Sequence, residues 1–391
     1  MSHVKLKDIT ISITDGKHGD CKGQDNSGFY FVSCKDVFDG AIHYENSRQI
    51  TKEDFLDADR RTNLAPNDIL ITNSGTIGRM ALVKDIPETR RTTFQKSVAI
   101  VKPNTDKILP VYLYYLLHSK VNDFINSSNG AAQKNLLLST MRDFDLEIED
   151  DMSIQHRIAT ALSRYDSLIE NYQKQIKLLE EAAQRLYKEW FVGLRFPGHE
   201  NTKIVDGLPE GWVPSTLGQI AEFKRGKTIT KKDAVDGSIP VVAGGLEPAY
   251  YCDKSNTAER VITVSGSGAN AGYTRLYFEK VWASDCSFVD IDTTPFLHFV
   301  YCFLKENKTT IDNMQKGSAQ PHVYAKDINA LELCVPDKRV LEIFEGKVSK
   351  YYDTIASLQS QIRFLTEARD RLLPKLMSGE IAVKDEKNVK R

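Results

Sequence analysis

The sequence has no apolar run long enough to cross a bilayer. Its best stretch, Leu109 to Leu117, falls far short of the about 20 residues a spanning helix needs. The N-terminus, Met1-Ser2-His3-Val4-Lys5, has no apolar segment of the kind a secretion signal carries. The six cysteines, Cys21, Cys34, Cys252, Cys286, Cys302 and Cys334, form no CxxC pair and no Cys/His cluster. That pattern fits a reduced cytoplasm and gives no sign of a metal site. An excess of one charge is missing too: 52 Lys and Arg meet 53 Asp and Glu, a formal net charge of −1. A small, uniformly basic nucleic-acid binder is thereby excluded, but local basic faces are not. None of the 13 prolines adjoins another, so the Asn/Asp-Pro-Pro-aromatic stretch of a base amino-methyltransferase is absent. Walker A and HExxH are absent as well. Catalysis by this chain itself is not expected.

What the chain does have is one plan written twice. Gly130-Ala131-Ala132-Gln133 returns as Gly317-Ser318-Ala319-Gln320, and Tyr115-Leu116-Leu117 returns at the same offset as Cys302-Phe303-Leu304. The offset then shortens by one. Ile169, Tyr172, Ile176, Leu179, Leu186 and Gly193 match Ile355, Leu358, Ile362, Leu365, Leu372 and Gly379. An enzyme usually needs one active site. A chain that repeats a large module plus a long helix fits a pseudo-symmetric target touched at two places.

The 391 residues allow two or three domains with real cores. Residues 1–150 read as a strand-rich module, with strands expected at Phe29–Val32, Asp68–Thr72 and Val98–Val101 and a short helix at Val111–Ser119. From Ser153, a plausible N-cap, the period becomes helical. Ile169, Tyr172, Ile176, Leu179, Ala183, Leu186 and Trp190 then step by 3 and 4 as an a/d seam. Gly193 and Pro197-Gly198 end this helical region of residues 151–196. Residues 197–211 form a linker, Gly207-Leu208-Pro209-Glu210-Gly211-Trp212 leads in, and residues 212–337 repeat the strand-rich plan. A second helical region, 338–381, carries Ile355, Leu358, Ile362, Leu365, Arg369, Leu372 and Leu376 at the same steps. Residues 382–391 are a charged tail. If the seams pair, the helices run antiparallel, and about 40 helical residues make a strut of roughly 60 Å. The plainer alternative is that each helix packs on its own module.

Acidic residues Glu180-Glu181, Glu189 and Glu367 fall in the helical parts. Basic runs fall in parts read as non-helical: Lys224-Arg225-Gly226-Lys227, Lys231-Lys232, Arg60-Arg61 and Arg90-Arg91. A single such run is more often a solvated face than a binding site. Gly266, Gly268 and Ala271 satisfy a dinucleotide signature after a strand, but that reading needs a helix next. Tyr273 to Phe278 reads instead as a returning strand, and Ser74-Gly75-Thr76-Ile77-Gly78 repeats the arrangement before Met80. Both are expected to be glycine turns that let something approach the backbone closely. Pro336-Asp337 with Glu345-Gly346-Lys347 resembles a nuclease PD…(D/E)xK pattern, yet its pieces sit on a turn and a helix start. In the Gly-x-Ala-Gln elements, Gln133 and Gln320, with Lys134 and His322 nearby, could reach bases or phosphates. Equally, each glutamine could cap a turn.

These features together resemble the specificity subunit of type I restriction–modification systems, across essentially the whole chain. The carriers are the duplicated layout and Gly317-Ser318-Ala319-Gln320-Pro321. They also include the helix ends Glu189-Trp190-Phe191-Val192 with Arg195-Phe196-Pro197-Gly198, and Leu372-Leu373-Pro374-Lys375-Leu376-Met377-Ser378-Gly379-Glu380-Ile381. Pro374 has no counterpart at Lys188, and the first copy reads Ala-Ala-Gln-Lys where the family favours Ser/Thr-Ala-Gln-Pro. The resemblance implies an α+β fold: two target recognition domains joined by two long antiparallel helices that form a coiled-coil spacer. It implies that each domain reads half of a bipartite double-stranded DNA site. The helices would set the spacer and dock two adenine-N6 methyltransferase subunits, and a motor–nuclease subunit would join. S-adenosylmethionine, ATP and Mg would belong to those partners, with no cofactor in this chain. The expected DNA contacts are Lys224, Arg225, Lys227 and Thr228 in the second module and Arg79, Arg90, Arg91 and Lys134 in the first. Ser74, Ser265, Ser267 and Asn270, on the glycine turns, join them, as do Gln133, Gln320 and His322. The competing classes are a two-headed coiled-coil adaptor for proteins and a stand-alone nucleotide enzyme resting on Gly266–Gly272.

Overall fold

The computed structural model describes residues 1–130, 134–315 and 321–383. Gln133, Gln320 and the tail from Lys384 therefore lie outside the described residues. The chain forms two compact units, one of Met1–Ile169 with Arg363–Arg391, the other of Glu170–Ile362. Each holds one strand-rich module.

In the first module the main strands are β1 (Ser2–Lys5), β2 (Thr10–Asp15), β3 (Tyr30–Val32), β4 (Ile69–Thr72), β5 (Met80–Leu82), β6 (Thr92–Phe94), β7 (Val98–Pro103) and β8 (Asp145–Ile148). A four-stranded antiparallel sheet has the order β2-β7-β4-β5, while β3 and β6 pair in parallel and β1 pairs with β8. The central strand β4 is an unbroken apolar run because both its faces are covered. Ile69 and Ile71 point with Ala99 and Val101 into a core that includes Tyr112, Leu113 and Leu116 of helix α2 (Pro110–Ser119). Leu70 and Ile100 point the other way, toward Val32 and Phe94. The period-2 alternation thus sorts neighbouring residues into two cores.

The second module repeats these eight strands in the same order. The matching strands are β9 (Val213–Thr216), β10 (Lys224–Arg225), β11 (Ile239–Val242), β12 (Val261–Ser265), β13 (Thr274–Tyr277), β14 (Trp282–Ala283), β15 (Cys286–Asp290) and β16 (Glu332–Val335). The sheet order is β10-β15-β12-β13, β11 and β14 pair in parallel, and β9 pairs with β16. Ile262 and Val264 face one core, and Val261 faces another with Val242 and Ala283. One region differs. The first module inserts helix α1 (Lys52–Thr62) between β3 and β4, so Arg60 and Arg61 are helical, contrary to the sequence reading. Thr51 caps α1 by accepting the Asp54 N–H.

Two long helices complete the α+β fold: α3 (Met152–Tyr187) and α5 (Lys338–Met377), with α4 (Leu297–Glu306) the counterpart of α2. Asp151, not Ser153, caps α3; its carboxylate accepts the Ser153 N–H at 2.7 Å. Past Tyr187 the chain widens into a π turn over Lys188–Val192, and Gly193 follows with a right-handed φ of −81°. Gly379, after α5, has the left-handed φ of 72° that favours glycine.

The seam residues Ile169, Tyr172, Ile176, Leu179, Leu186, Ile362, Leu365 and Leu372 are half-buried, whereas Ala183, Trp190, Ile355 and Leu358 are buried. In the second unit Tyr187 meets the ring of Phe344. Glu180, two turns earlier, lies close enough to Tyr352, two turns later, for its charge to act on it. The helix segments there run antiparallel. In the first unit Arg369 of α5 donates to Asp166 of α3 at 2.6 Å, and Tyr115 of α2 donates to the same carboxylate. Burial works against the Arg369 charge, but the Asp166 hydrogen bond and charge outweigh it and raise the guanidinium pKa.

Candidate nucleic-acid interface

The glycine turns are hairpin turns. β4 returns as β5 and β12 as β13, both antiparallel, and no helix follows either turn. The second turn therefore has no helix N-terminus at which a pyrophosphate could sit, which removes the nucleotide reading. Gly78 and Gly272 have φ of 87° and 85°. A Cβ on Gly78 would come within 2.7 Å of Val121, and one on Gly272 within 3.0 Å of Ile311. Only glycine serves both the backbone angle and the close packing.

Each turn is tied to the segment after the Gly-x-Ala-Gln sequence of its module. Ser74 forms an isolated bridge with Asn135, and the Leu136 N–H donates to the Asn73 carbonyl at 2.8 Å. Correspondingly, Ser267 bridges His322, and the Val323 N–H donates to the Gly266 carbonyl at 3.1 Å. These contacts match Ser74 with Ser267 and Gly75 with Gly268. Gly75 and Gly268 share left-handed φ values of 78° and 80°.

The same end of each sheet gathers polar side chains. In the second module Arg225 ends β10 and donates to Asp285 at 3.2 Å, and the Ser267 hydroxyl donates to the other Asp285 oxygen. Lys224, Lys227 and Thr228 are exposed. The Trp282 indole donates to the Lys227 carbonyl at 2.7 Å. Asn270 and Ser265 both donate to the Gly244 carbonyl, and Ser265 is buried. These two therefore shape the turn from inside. The His322 ring stacks on the exposed Tyr324, with centroids 5.9 Å apart.

In the first module Arg79 and Lys134 are exposed beside the turn, and Ser74 is half-buried. Arg90 and Arg91 are exposed too, but they sit on the turn before β6, at the far end of that strand. They are not brought to the glycine turn; Arg90 pairs with Asp85 at 3.4 Å.

Sequence reasoning missed a Gly-Lys step that both modules place here. The Gly16 and Lys17 N–H groups donate to the Val98 and Phe94 carbonyls, and those of Gly226 and Lys227 to Cys286 and Ala283. A Cβ on Gly16 would lie 2.1 Å from the Phe94 carbonyl oxygen, and one on Gly226 would lie 2.5 Å from that of Ala283. Asp15-Gly16-Lys17 and Arg225-Gly226-Lys227 share the Gly-Lys signal. The α1 insertion moves it off the common offset.

The nuclease-like match dissolves. Asp337 caps α5 by accepting the Arg339 N–H at 2.8 Å. Glu345, on α5, accepts the His298 and Phe299 N–H groups at the start of α4, plus His298 Nδ1 at 2.6 Å. Both acids are spent on helix ends.

The repeat also appears when the chain is compared with a known family. The model of the type I restriction modification DNA specificity domain matches this chain twice, over residues 3–181 and 209–362, and the chain belongs to that family. Each match covers one strand-rich module and the first part of the helix that follows it. The chain is 27% identical over 344 residues to the type I restriction enzyme MjaIX specificity subunit of Methanocaldococcus jannaschii, covering 81% of this chain and 78% of that one. It is 22% identical to the HindI specificity subunit of Haemophilus influenzae, over 72% of this chain and 80% of that one. Its fold is similar to the crystal structure of the type I restriction–modification S subunit from M. genitalium, with a TM-score of 0.56 and 17% identity over 96% and 95% of the two chains. The chain is a type I specificity subunit. Among the described residues, no helix is long and apolar enough to cross a membrane.

Proposed function

We propose that this subunit reads a bipartite, asymmetric site on double-stranded DNA, one half-site per module, without catalysing a reaction itself. The observation that carries this reading is the pair of glycine-turn ends. Two sheets of one topology present equivalent turns, each tied to the segment after its Gly-x-Ala-Gln sequence. Their side chains differ at matching positions, Asp15 against Arg225 and Ser97 against Asp285. A common frame with divergent side chains suits two modules that read different bases through similar approaches to the groove. The contacts assigned to this role are Ser74, Arg79 and Lys134 in the first module. In the second they are Lys224, Arg225, Lys227, Thr228, Ser267 and His322.

The helices α3 and α5, of 36 and 40 residues, act as the ruler that sets the unread spacer. Half-sites met on one face of the duplex lie about 34 Å apart, one helical turn. The same helices dock two adenine-N6 methyltransferase subunits, and motor–nuclease subunits join that complex in the cytoplasm. Those partners bring S-adenosylmethionine, ATP and Mg. They also supply the positive charge that a chain of net charge −1 lacks.

Methylome sequencing of a host that carries this chain with its methyltransferase tests the reading. One bipartite motif with a fixed spacer is expected. Methylation with no such motif would contradict it.

A further inference from the structure

Both modules place an arginine braced by a carboxylate at the end of their edge strand, and they build it in opposite ways. Strand registers make Arg225 of β10 and Asp15 of β2 equivalent: Arg225 faces Ser287, and Asp15 faces Ala99. The residues before β15 and β7, Asp285 and Ser97, correspond as well, since their carbonyls accept the Gly266 and Asn73 N–H groups. In the second module the strand supplies the arginine. Arg225 is 61% exposed at its side chain, and Asp285 holds it from one side while accepting the Ser267 hydroxyl on the other. In the first module the strand supplies the acid. Asp15 is nearly buried, and it holds Arg61, which arrives from α1 and remains 51% exposed. Arg61 Nε also donates to the Asp15 carbonyl at 3.0 Å, and His18 contacts the second carboxylate oxygen at 2.9 Å. Among the described residues 226–260 no helix occupies the place of α1.

A guanidinium with one edge fixed by a carboxylate keeps its other donors aimed outward in a rigid fork. Such a fork matches the O6 and N7 acceptors of guanine in the major groove. Resting on the proposed DNA reading, we infer that Arg225 and Arg61 are the guanine-reading residues of the second and first modules, and that Asp285 and Asp15 position them. The exchange of acid and arginine between strand and neighbour sets each fork at a different place on its module, which lets two copies of one fold recognise guanine at different steps of their half-sites.

The test is methylome sequencing of hosts carrying the full complex with Arg225→Gln, Arg61→Gln or Asp285→Asn. For Arg225→Gln, guanine preference at one position of one half-site is expected to fall roughly tenfold or more. The other half-site and the spacer should stay unchanged. Arg61→Gln should do the same at one position of the opposite half-site. Asp285→Asn keeps an acceptor for Ser267 and should weaken discrimination at the Arg225 position only, by less. A uniform loss of methylation with both motifs intact, together with a salt slope lowered by about 1, would mark phosphate contacts and overturn the proposal. So would a wild-type half-site without guanine. Either result leaves the two-module DNA reading standing; that reading fails only if the unmutated complex methylates no bipartite motif.

Discussion

Ser267 and His322 bridge backbone to backbone across the second module's glycine turn, as Ser74 and Asn135 do in the first. The turn and the segment after the Gly-x-Ala-Gln sequence are therefore one structural piece in each module. A change that displaces one displaces the other.

Gly272→Ala tests that coupling. The substitution forces a side chain into φ 85° and places its methyl 3.0 Å from Ile311. Strain of about 1–3 kcal/mol is expected, read as a lower midpoint in a urea melt followed by tryptophan fluorescence. Trp190, Trp212 and Trp282 all lie in the second unit, so the signal reports that unit. A wild-type midpoint would show that the turn tolerates a side chain.

Glu345→Ala separates the structural reading of the nuclease-like pattern from a catalytic one. It leaves two backbone N–H groups and His298 without their acceptor at the start of α4. The expected cost is about 2–4 kcal/mol of stability, with the methylated motif unchanged in complexes that still fold. Unchanged stability with lost DNA cleavage by the assembled complex would reverse that assignment.

Arg369→Ala removes one of the two donors, Arg369 and Tyr115, that the Asp166 carboxylate accepts in the first unit. Asp166 is a third exposed, so solvent softens the loss to about 1–2 kcal/mol. Circular dichroism during a urea melt reads it. The double variant Asp166→Asn with Arg369→Ala should cost less than the two single losses added, because one interaction is removed twice.

Much of this was legible in the sequence, for physical reasons. The a/d steps from Ile169 to Trp190 and from Ile355 to Leu376 announced two long helices, because helix periodicity survives without tertiary context. The buried central strands stood out as short apolar runs at Ile69–Ile71 and Val261–Val264. The hairpins were readable because Tyr273–Phe278 alternates where a nucleotide site needs a helix. The Gly16-Lys17 step was not legible, since α1 shifts it off the repeat. Helix α1 was missed because its polar surface reads as a charged loop until Phe55 and Ala58 are seen buried. Nor could sequence place Asp285 beside Arg225, a contact made by strands that are distant along the chain.

A heptad inserted at equivalent points of α3 and α5 should lengthen the unread spacer while both half-sites keep their sequence. Methylome sequencing reads it. An altered half-site would count against the helices as a ruler.

The most direct test of two independent reading modules is an exchange. Residues 212–337 are replaced by the second module of another member of the family, and the host methylome is sequenced. One half-site should change, with the other half-site and the spacer length held. A change in both half-sites, or in neither, would contradict the assignment of one half-site to each module.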